Sequence, residues 1–222
     1  MKEKNTITKS WDENAQEWIR IIDSEMIPSR KFTNRAVVQT LRNLEASKIL
    51  DVGCGEGWLT REITQMGKVG IGLDAIEALL ENARIKGPQA YYLLSYEAII
   101  AGELIPDAPF EAIVCNFCLY DKDSLAPLLS QLKKFLSKDG KIVIQTLHPF
   151  FLTQQDIEYK SQWLGDAWKG LPGKFKNGHS WYARTMEDWV SVIRKAGMGV
   201  AQLNEVVDGD KKPISMILIL KE

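Results

Sequence analysis

Acidic residues and glycines that could bind a cofactor stand close together near the end of the first quarter of the chain. In the stretch SKILDVGCGEGWL, residues 47–59, Asp51 ends a short apolar run, and glycines occupy positions 53, 55 and 57. Glycine at alternate positions permits a tight turn and lets a backbone approach a ligand closely. The question is which ligand this turn approaches.

The spacing and charge of the turn argue against a diphosphate. A dinucleotide-binding turn needs a third glycine at the position that Trp58 occupies, and tryptophan is far too large there. Asp51 and Glu56 flank the turn, and two carboxylates would oppose a phosphate at the start of the next helix. No phosphate-binding GxxxxGKS/T motif is present. The turn suits a ligand with a cationic part, which makes an NAD-dependent reductase a distant alternative.

Asp74 indicates a ribose. It lies 23 positions after Asp51 (74 − 51) and ends the second predicted strand. An acid at this strand tip can accept hydrogen bonds from both ribose hydroxyls, a feature that NAD enzymes share. A ribose together with a cationic group, and without a diphosphate, describes S-adenosylmethionine.

The elements that position these residues alternate in type. Apolar runs predict strands at 48–52, 69–73, 90–94, 112–116 and 141–146, with helices between most of them at 58–66, 76–85 and 124–137. Two helices precede the first strand, one beginning at a capping box of Ser10 and Glu13 and one at 33–44. We predict an α/β fold with a doubly wound, mostly parallel seven-stranded sheet. The last 24 residues predict a C-terminal antiparallel hairpin around Asp208-Gly209-Asp210.

The alternation breaks after the fifth strand, at an aromatic-rich insert. Residues 147–183 hold three of the seven tryptophans and both histidines, with glycines between them. Such a composition fits a largely apolar acceptor pocket and its lid, or a bracing cluster or dimer contact. We expect one domain over 1–222, with an N-terminal helical cap (1–46), a cofactor-binding core (47–146), the insert (147–183), and a C-terminal helix and hairpin (184–222).

Composition limits the class of protein. The chain has 222 residues, 45% hydrophobic and 26% charged, with a net charge of −1, which gives no nucleic-acid footprint. Three cysteines and the absence of an apolar signal-like start fit a cytoplasmic protein without a membrane partner. Cys115 and Cys118 form a CxxC pair without a second pair, so we expect structural cysteines and no metal site.

Three stretches resemble motifs of the class I S-adenosylmethionine-dependent methyltransferases. They are ILDVGCGEGWLTREITQMGKVGIGLDAIEALLENAR, FEAIVCNFCLYD and FLSKDGKIVIQT, and the resemblance covers residues 48–146. It is specific for the cofactor, S-adenosyl-L-methionine, and much less so for the methyl acceptor.

The resemblance also implies residue roles. Gly53 and Gly55 would let the methionine part approach the backbone, and Asp51 would support its ammonium group directly or through water. Near the adenine, Ser95 stands where the family usually has an acid or amide, and Tyr96 and then Glu97 are the substitutes. Arg30 is either a partner for the methionine carboxylate or a solvated side chain. The full predicted cofactor-binding set is Arg30, Asp51, Gly53, Cys54, Gly55, Asp74, Ala75, Ser95, Tyr96, Glu97, Asn116 and Phe117.

Catalysis asks little of the protein, because methyl transfer mainly needs an aligned nucleophile. Where the acceptor must lose a proton, histidine is the usual base near neutral pH. We predict His148 first, since it leaves the fifth strand at its carboxyl end, and Tyr120 as a further candidate. His179, on the insert, ranks lower.

The expected function is methyl transfer to a small-molecule acceptor by in-line displacement. No NPPY-like motif follows the fourth strand, which lowers the case for methylating a nucleobase or amide nitrogen. The alternatives are a non-catalytic or regulatory S-adenosylmethionine-binding protein and an RNA or protein methyltransferase. The acidic balance disfavours RNA, and the sequence predicts no particular oligomeric state.

Overall fold

Strands and helices alternate through most of the computed structural model, which describes residues 4–222, with side chains from residue 7 onward. The helices are α1 (Lys4–Asp23), α2 (Arg30–Asn43), α3 (Trp58–Gln65), α4 (Glu77–Lys86), α5 (Tyr96–Ile100), α6 (Leu125–Leu132), α7 (Phe151–Gln154) and α8 (Met186–Lys195). The strands are β1 (Lys48–Val52), β2 (Val69–Asp74), β3 (Ala90–Leu93), β4 (Phe110–Asn116), β5 (Leu136–Leu147), β6 (Gln162–Leu164), β7 (Trp181–Ala183), β8 (Gly199–Val207) and β9 (Pro213–Lys221).

Seven strands form one sheet in the order β3-β2-β1-β4-β5-β9-β8. The first five of these are mutually parallel, whereas β9 is antiparallel to both β5 and β8. The predicted fold class is therefore confirmed, including its terminal hairpin. The strand order reverses between β1 and β4, and a crevice for ligands opens outside the carboxyl ends of strands at such a point.

The sheet is covered on both faces, as its apolar strands require. Successive side chains of a strand point to opposite faces, so Leu50 and Val52 pack with α6 and α8 while Ile49 packs with α2 and α3. The same division separates Ile113 from Val114 in β4. This double burial fixes the strand ends that carry the predicted site.

Local signals misplace several element bounds. The capping box predicted at Ser10 is wrong, because α1 begins at Lys4 and Ser10 lies inside it. The predicted helix 124–137 ends at Leu132, and one 3-10 turn follows it (Lys133–Phe135). Helix α5 was not predicted. At α8, Thr185 caps the helix, since its hydroxyl accepts a hydrogen bond from the backbone N–H of Asp188 at 3.2 Å.

The insert contains α7 and the antiparallel pair β6–β7, and α1 holds it through side chains. The Asn14 amide donates to the carbonyl of Lys176 at 2.7 Å and accepts from the N–H of Lys176 at 2.8 Å. Ser10 donates to the carbonyl of Asn177 at 2.8 Å. Helix α1 and the insert are thus one connected cover. Across residues 4–222, no helix has the length and apolar character of a membrane span.

Candidate active site

The glycine turn between β1 and α3 is shaped by backbone conformation and by packing. Gly53, Gly55 and Gly57 have φ of 70°, 57° and 79°, a region that other residues rarely adopt. A Cβ on Gly53 would lie 2.6 Å from the Cβ of Cys118. At Gly55, in contrast, only the indole nitrogen of Trp18 comes near, at 3.9 Å. Gly55 therefore faces the space at the strand ends, beneath Trp18.

Asp51 lies buried at the carboxyl end of β1. Its carboxylate accepts a hydrogen bond from the Thr60 hydroxyl at 2.8 Å. Burial raises the pKa of Asp51 to about 7; the Thr60 hydrogen bond lowers this pKa, and the charges of Asp74 and Glu56 raise it. Among the side chains described, no lysine or arginine pairs with Asp51. A bound cationic group would supply the missing partner.

Asp74 ends β2 and holds the glycine turn in place. One carboxylate oxygen accepts from the N–H of Gly55 at 2.8 Å and the other from the N–H of Ile76 at 2.9 Å. Burial raises the pKa of Asp74, against the effect of these backbone bonds and one from Ala75. Each oxygen keeps a further lone pair that a ligand hydroxyl can use.

The sequence predicts that the Glu56 carboxylate opposes a phosphate at the turn, but in the structure Glu56 is paired with basic side chains. Its carboxylate pairs with Arg61 at 2.8 Å and with Lys86 at 3.5 Å. Because the chain itself neutralises Glu56, the preference of the turn for a cationic ligand rests on Asp51 and Asp74.

The residues predicted near the adenine lie at different distances from the turn. Ser95 caps α5 by accepting from the N–H of Ala98 at 3.2 Å. Tyr96 donates to the carbonyl of Cys118 at 3.3 Å, and its hydroxyl lies 2.8 Å from the Cβ position of Gly53. Glu97 is exposed. The structure thus brings Tyr96 to the turn, and leaves the roles of all three as predictions.

The end of β4 supplies two further predicted residues. Asn116 has its side-chain oxygen buried without a hydrogen-bond partner among the described residues. Phe117 has φ 50°, which a bulky side chain seldom adopts. The Tyr120 hydroxyl donates to the carbonyl of Phe117, and burial raises the pKa of that phenol well above its ordinary value. Tyr120 is therefore protonated and engaged, which does not suit a base.

The remaining predicted contacts frame the turn. Cys54 is buried beside it, its N–H donating to the carbonyl of Leu73 at 3.0 Å. The Arg30 guanidinium lies 4.8 Å from the Trp58 ring centre, and burial lowers its pKa although the charge of Glu56 raises it. The CxxC thiols are free, and that of Cys118 donates to the carbonyl of Val52 at 3.1 Å.

His148, the first predicted base, has both ring nitrogens engaged. Its Nδ1 accepts from the N–H of Phe150 at 3.1 Å, so Nε2 carries the hydrogen and donates to Glu205 of β8 at 2.9 Å. Strand β8 is the sheet edge farthest from β1 and β2. This placement does not support a catalytic role for His148.

His179 lies instead within an aromatic cluster formed by α1, the loop after β4 and the insert. We define this cluster as Trp11, Trp18, Tyr120, Trp168, Phe175 and His179. The Trp168 ring stacks on Phe175 with centroids 4.6 Å apart, and its indole N–H donates to Ser10 at 2.9 Å. Trp11 and Trp18 both come from α1, with ring centroids 5.1 Å apart, and Trp18 covers Gly55.

A groove elsewhere on the surface does not coincide with this chemistry. It has a volume of about 490 Å³ and lies between α2, β8 and β9. None of the predicted site residues lines it. The candidate site is therefore defined by the glycine turn, the two buried acids and their aromatic cover.

A family model described as a methyltransferase domain matches residues 24–202. This chain belongs to the methyltransferase domain family. Its fold is that of the class I S-adenosylmethionine-dependent methyltransferases, which confirms the resemblance carried by the sequence motifs. The cofactor of that family is the one predicted from the glycine turn and Asp74.

Relatives of this methyltransferase-domain protein cover it to different extents. A ubiquinone biosynthesis O-methyltransferase of Rhodopseudomonas palustris is 26% identical over 139 residues, 61% of this chain and 54% of the relative. The chain thus spans about half the length of these curated relatives.

Two solved structures share the fold over nearly the whole domain. The first is a 1,6-didemethyltoxoflavin N1-methyltransferase of Burkholderia thailandensis with its substrate and S-adenosylhomocysteine bound. It is 14% identical, with a TM-score of 0.70 over 99% of this chain and 88% of that one. The second is a magnesium protoporphyrin IX methyltransferase of Synechocystis with bound S-adenosylhomocysteine. It is 16% identical, with a TM-score of 0.68 over 98% of each chain.

Proposed function

We propose that this protein is a methyltransferase that transfers a methyl group from S-adenosylmethionine to a small-molecule acceptor. The observation that carries the proposal is the pair of buried acids, Asp51 and Asp74, on either side of the glycine turn. Both have raised pKa values because of burial. A ligand with a cationic group and a ribose can pair with one carboxylate and donate hydroxyl hydrogen bonds to the other. A diphosphate would be repelled by both.

The residues at the turn fit this cofactor in three respects. Asp51 lacks a cationic partner within the described chain and would pair with the ammonium group. Asp74 retains lone pairs for the ribose hydroxyls. Gly55 presents backbone without a side chain toward Trp18, so a ligand can pass between them once the indole moves. Tyr96 and Asn116 lie next to the turn and would complete the contacts.

The chemistry follows from alignment. Bound S-adenosylmethionine supplies a sulfonium methyl group that an aligned nucleophile can take in line. The protein's part is to fix the donor between Asp51 and Asp74, hold the acceptor behind the methyl carbon, and exclude water. Helix α1 and the insert cover the site with apolar rings, and a concave apolar pocket with few polar groups suits a small organic acceptor.

Cofactor binding is tested by calorimetry with S-adenosylmethionine, S-adenosylhomocysteine and NAD. We expect the first two to bind and NAD to bind at least a hundredfold more weakly. The variant Glu77→Gln, at the exposed first residue of α4, serves as a control that should bind like the wild type. Comparable NAD binding would overturn the cofactor assignment.

Methyl transfer is tested with a metabolite extract and donor carrying an isotopically labelled methyl group. Mass spectrometry should find the label in a low-molecular-weight compound. If the cofactor binds tightly and no compound acquires label, the protein binds the cofactor without turnover. Label found only in protein or RNA would identify a macromolecular acceptor instead.

A further inference from the structure

His179 is buried, and no other described residue forms a hydrogen bond with its ring nitrogens. The residue is 2% exposed, and neither ring nitrogen has a hydrogen-bond partner within the described residues. A neutral imidazole offers one donor and one acceptor, and leaving both unpaired away from water is unfavourable. Other described side chains with such atoms, namely Glu56, Asn82, Asn116 and Gln145, leave one atom unpaired each.

The neighbours of His179 are aromatic rings that give it no hydrogen bond. The ring centres of Tyr120, Trp168 and Trp11 lie 5.4, 5.5 and 6.4 Å from that of His179. The polar ends of two of them are used elsewhere, since Tyr120 donates to Phe117 and Trp168 donates to Ser10. The unpaired imidazole is therefore enclosed by aromatic rings.

These aromatic rings reach the cofactor site. The Trp11 ring centre lies 5.1 Å from that of Trp18, and Trp18 stands over Gly55. Tyr120 follows the end of β4, the strand next to β1. Two indole rings, those of Trp11 and Trp18, thus lie between His179 and the glycine turn.

The charge state of His179 suits a proton acceptor. Burial lowers its pKa to about 4, although the charge of Asp166 raises it slightly. The groups that face the ring are Asp166 and Trp168 of the insert, Tyr120 after β4, and Trp11 of α1. At pH 7 the imidazole is neutral and keeps a free lone pair.

We propose that His179 binds the hydroxyl group of a planar, phenol-like acceptor and takes its proton during methyl transfer. The inference rests on the proposed function and names the acceptor class and the base for that same site. The aromatic rings around His179 favour a planar acceptor ring, and the unpaired imidazole favours a hydroxyl that can donate to it.

The step balances in atoms and charge. The bond between the acceptor oxygen and the methyl carbon forms as the bond from that carbon to sulfur breaks, with its electron pair remaining on sulfur. The hydroxyl proton goes to an imidazole nitrogen of His179. The positive charge that His179 gains replaces the one lost from sulfur, so the pocket keeps its net charge, and a weakly basic buried imidazole can serve. The proton then passes to water when the cover opens.

Binding is tested on the full chain saturated with S-adenosylhomocysteine, with phenol and anisole as probes. Anisole keeps the ring and lacks the hydroxyl donor. We expect phenol to bind the wild type at least tenfold more tightly than anisole, and His179→Phe to remove the difference. Ser180→Ala, an exposed neighbour, is the control. Failure of phenol to bind, or equal binding of the two probes by the wild type, overturns the inference.

Turnover separates proton removal from a merely structural role. At pH 8.5 phenol is protonated, whereas a nitrophenol is already ionised and needs no base. We expect His179→Phe to lower kcat for phenol at least a hundredfold and to change kcat for the nitrophenol only a few-fold. His148→Gln should keep both activities. Equal losses on both acceptors, or no transfer to either by the wild type, overturns the inference.

The two proposals fail in distinguishable ways. Absence of S-adenosylhomocysteine binding by calorimetry refutes the proposed function. Cofactor binding together with labelling of non-phenolic compounds in the extract, equally by wild type and His179→Phe, refutes only the assignment of His179.

Discussion

Asp51 is ionised at a cost in the ligand-free protein, because burial raises its pKa to about 7. A pKa above the unfolded value of about 4 means that its contribution to stability is present below pH 4 and is lost as the pH rises through 7. Asp51→Asn keeps a hydrogen-bond acceptor for Thr60 and removes the charge. We expect this variant to stabilise the ligand-free protein at pH 8 by up to about 4 kcal/mol, and little at pH 4, measured by urea unfolding.

The same variant should bind the cofactor more weakly, since the ammonium group loses its counter-charge. A loss of at least tenfold in affinity by calorimetry at pH 8 is the expected result. Asp12→Asn, on the exposed side of α1, is the matched control. Wild-type affinity in a stabilised Asp51→Asn protein would show that Asp51 does not meet the ammonium group.

His179 has the opposite effect on stability. Its folded pKa of about 4 lies below the ordinary 6.5, so its contribution is present above pH 6.5 and is lost as the pH falls toward 4. The loss amounts to up to about 3 kcal/mol and should be absent in His179→Phe. Between pH 4 and 6.5 the effects of Asp51 and His179 oppose each other. Unfolding curves at pH 7.5 and 4.5 should therefore differ less in the wild type than in either variant, and equal pH dependence in all three would contradict this.

Under the proposed function, Asp74 binds the ribose hydroxyls as well as the backbone of the turn. Asp74→Ala should weaken S-adenosylhomocysteine binding by about 2–4 kcal/mol, because two charge-assisted hydrogen bonds are lost and partly replaced by water. The substitution also leaves the N–H groups of Gly55 and Ile76 without the carboxylate to which they donate in the wild type. Calorimetry on a variant whose circular dichroism matches the wild type checks this, with Glu77→Ala as control. An unchanged Kd would remove Asp74 from the site.

At this scale, the sequence predicts what depends on local spacing. The glycine turn, Asp51 and Asp74 follow from residue types at short, fixed intervals. The partners of His148 and His179 could not be predicted in the same way. His148 is engaged by Glu205, 57 residues later in the chain, and His179 is placed by rings from α1 and from the loop after β4. Long-range partners of this kind leave no periodic signal.

Polar side chains of helix α1 form hydrogen bonds with the insert, and Asn14 forms two of them. Its amide makes two hydrogen bonds with the backbone of Lys176. We expect Asn14→Ala to increase hydrogen exchange in residues 165–180 at least tenfold, because local opening would no longer break these bonds. Gln16→Ala, exposed on the same helix, should leave the exchange unchanged. Equal exchange in Asn14→Ala would mean that ring packing alone holds the insert.

Elements were predicted where apolar runs are long enough to show a period. The five parallel strands and the terminal hairpin meet this condition. Helix α5 has five residues and β6 and β7 three each, too few for a period to emerge. Ser10 carries a capping signal that the fold does not use, because its hydroxyl bonds Asn177 and Trp168 instead. Tertiary contacts override local propensity here.

In the whole molecule, the candidate site residues lie together at the carboxyl ends of the parallel strands. The reversal of strand order between β1 and β4 brings the glycine turn, the end of β4 and the insert after β5 to the same edge. The apolar patterning of the strands predicted a parallel sheet, and therefore that these strand ends lie on the same side. The way in which α1 and the insert meet above these strand ends depends on contacts between residues more than 150 positions apart, such as the Ser10 hydroxyl and the Asn177 carbonyl, and could not be predicted.

The position of Trp18 over Gly55 should slow the release of S-adenosylhomocysteine. Exit past the indole requires α1 to separate from the insert, so dissociation should be slower than diffusion from an open cleft. We expect the purified protein to carry endogenous S-adenosylhomocysteine and to show a pre-steady-state burst limited by product release. Asn14→Ala should shorten the residence time in stopped-flow displacement, and adding a nucleosidase that destroys the product should raise the steady-state rate.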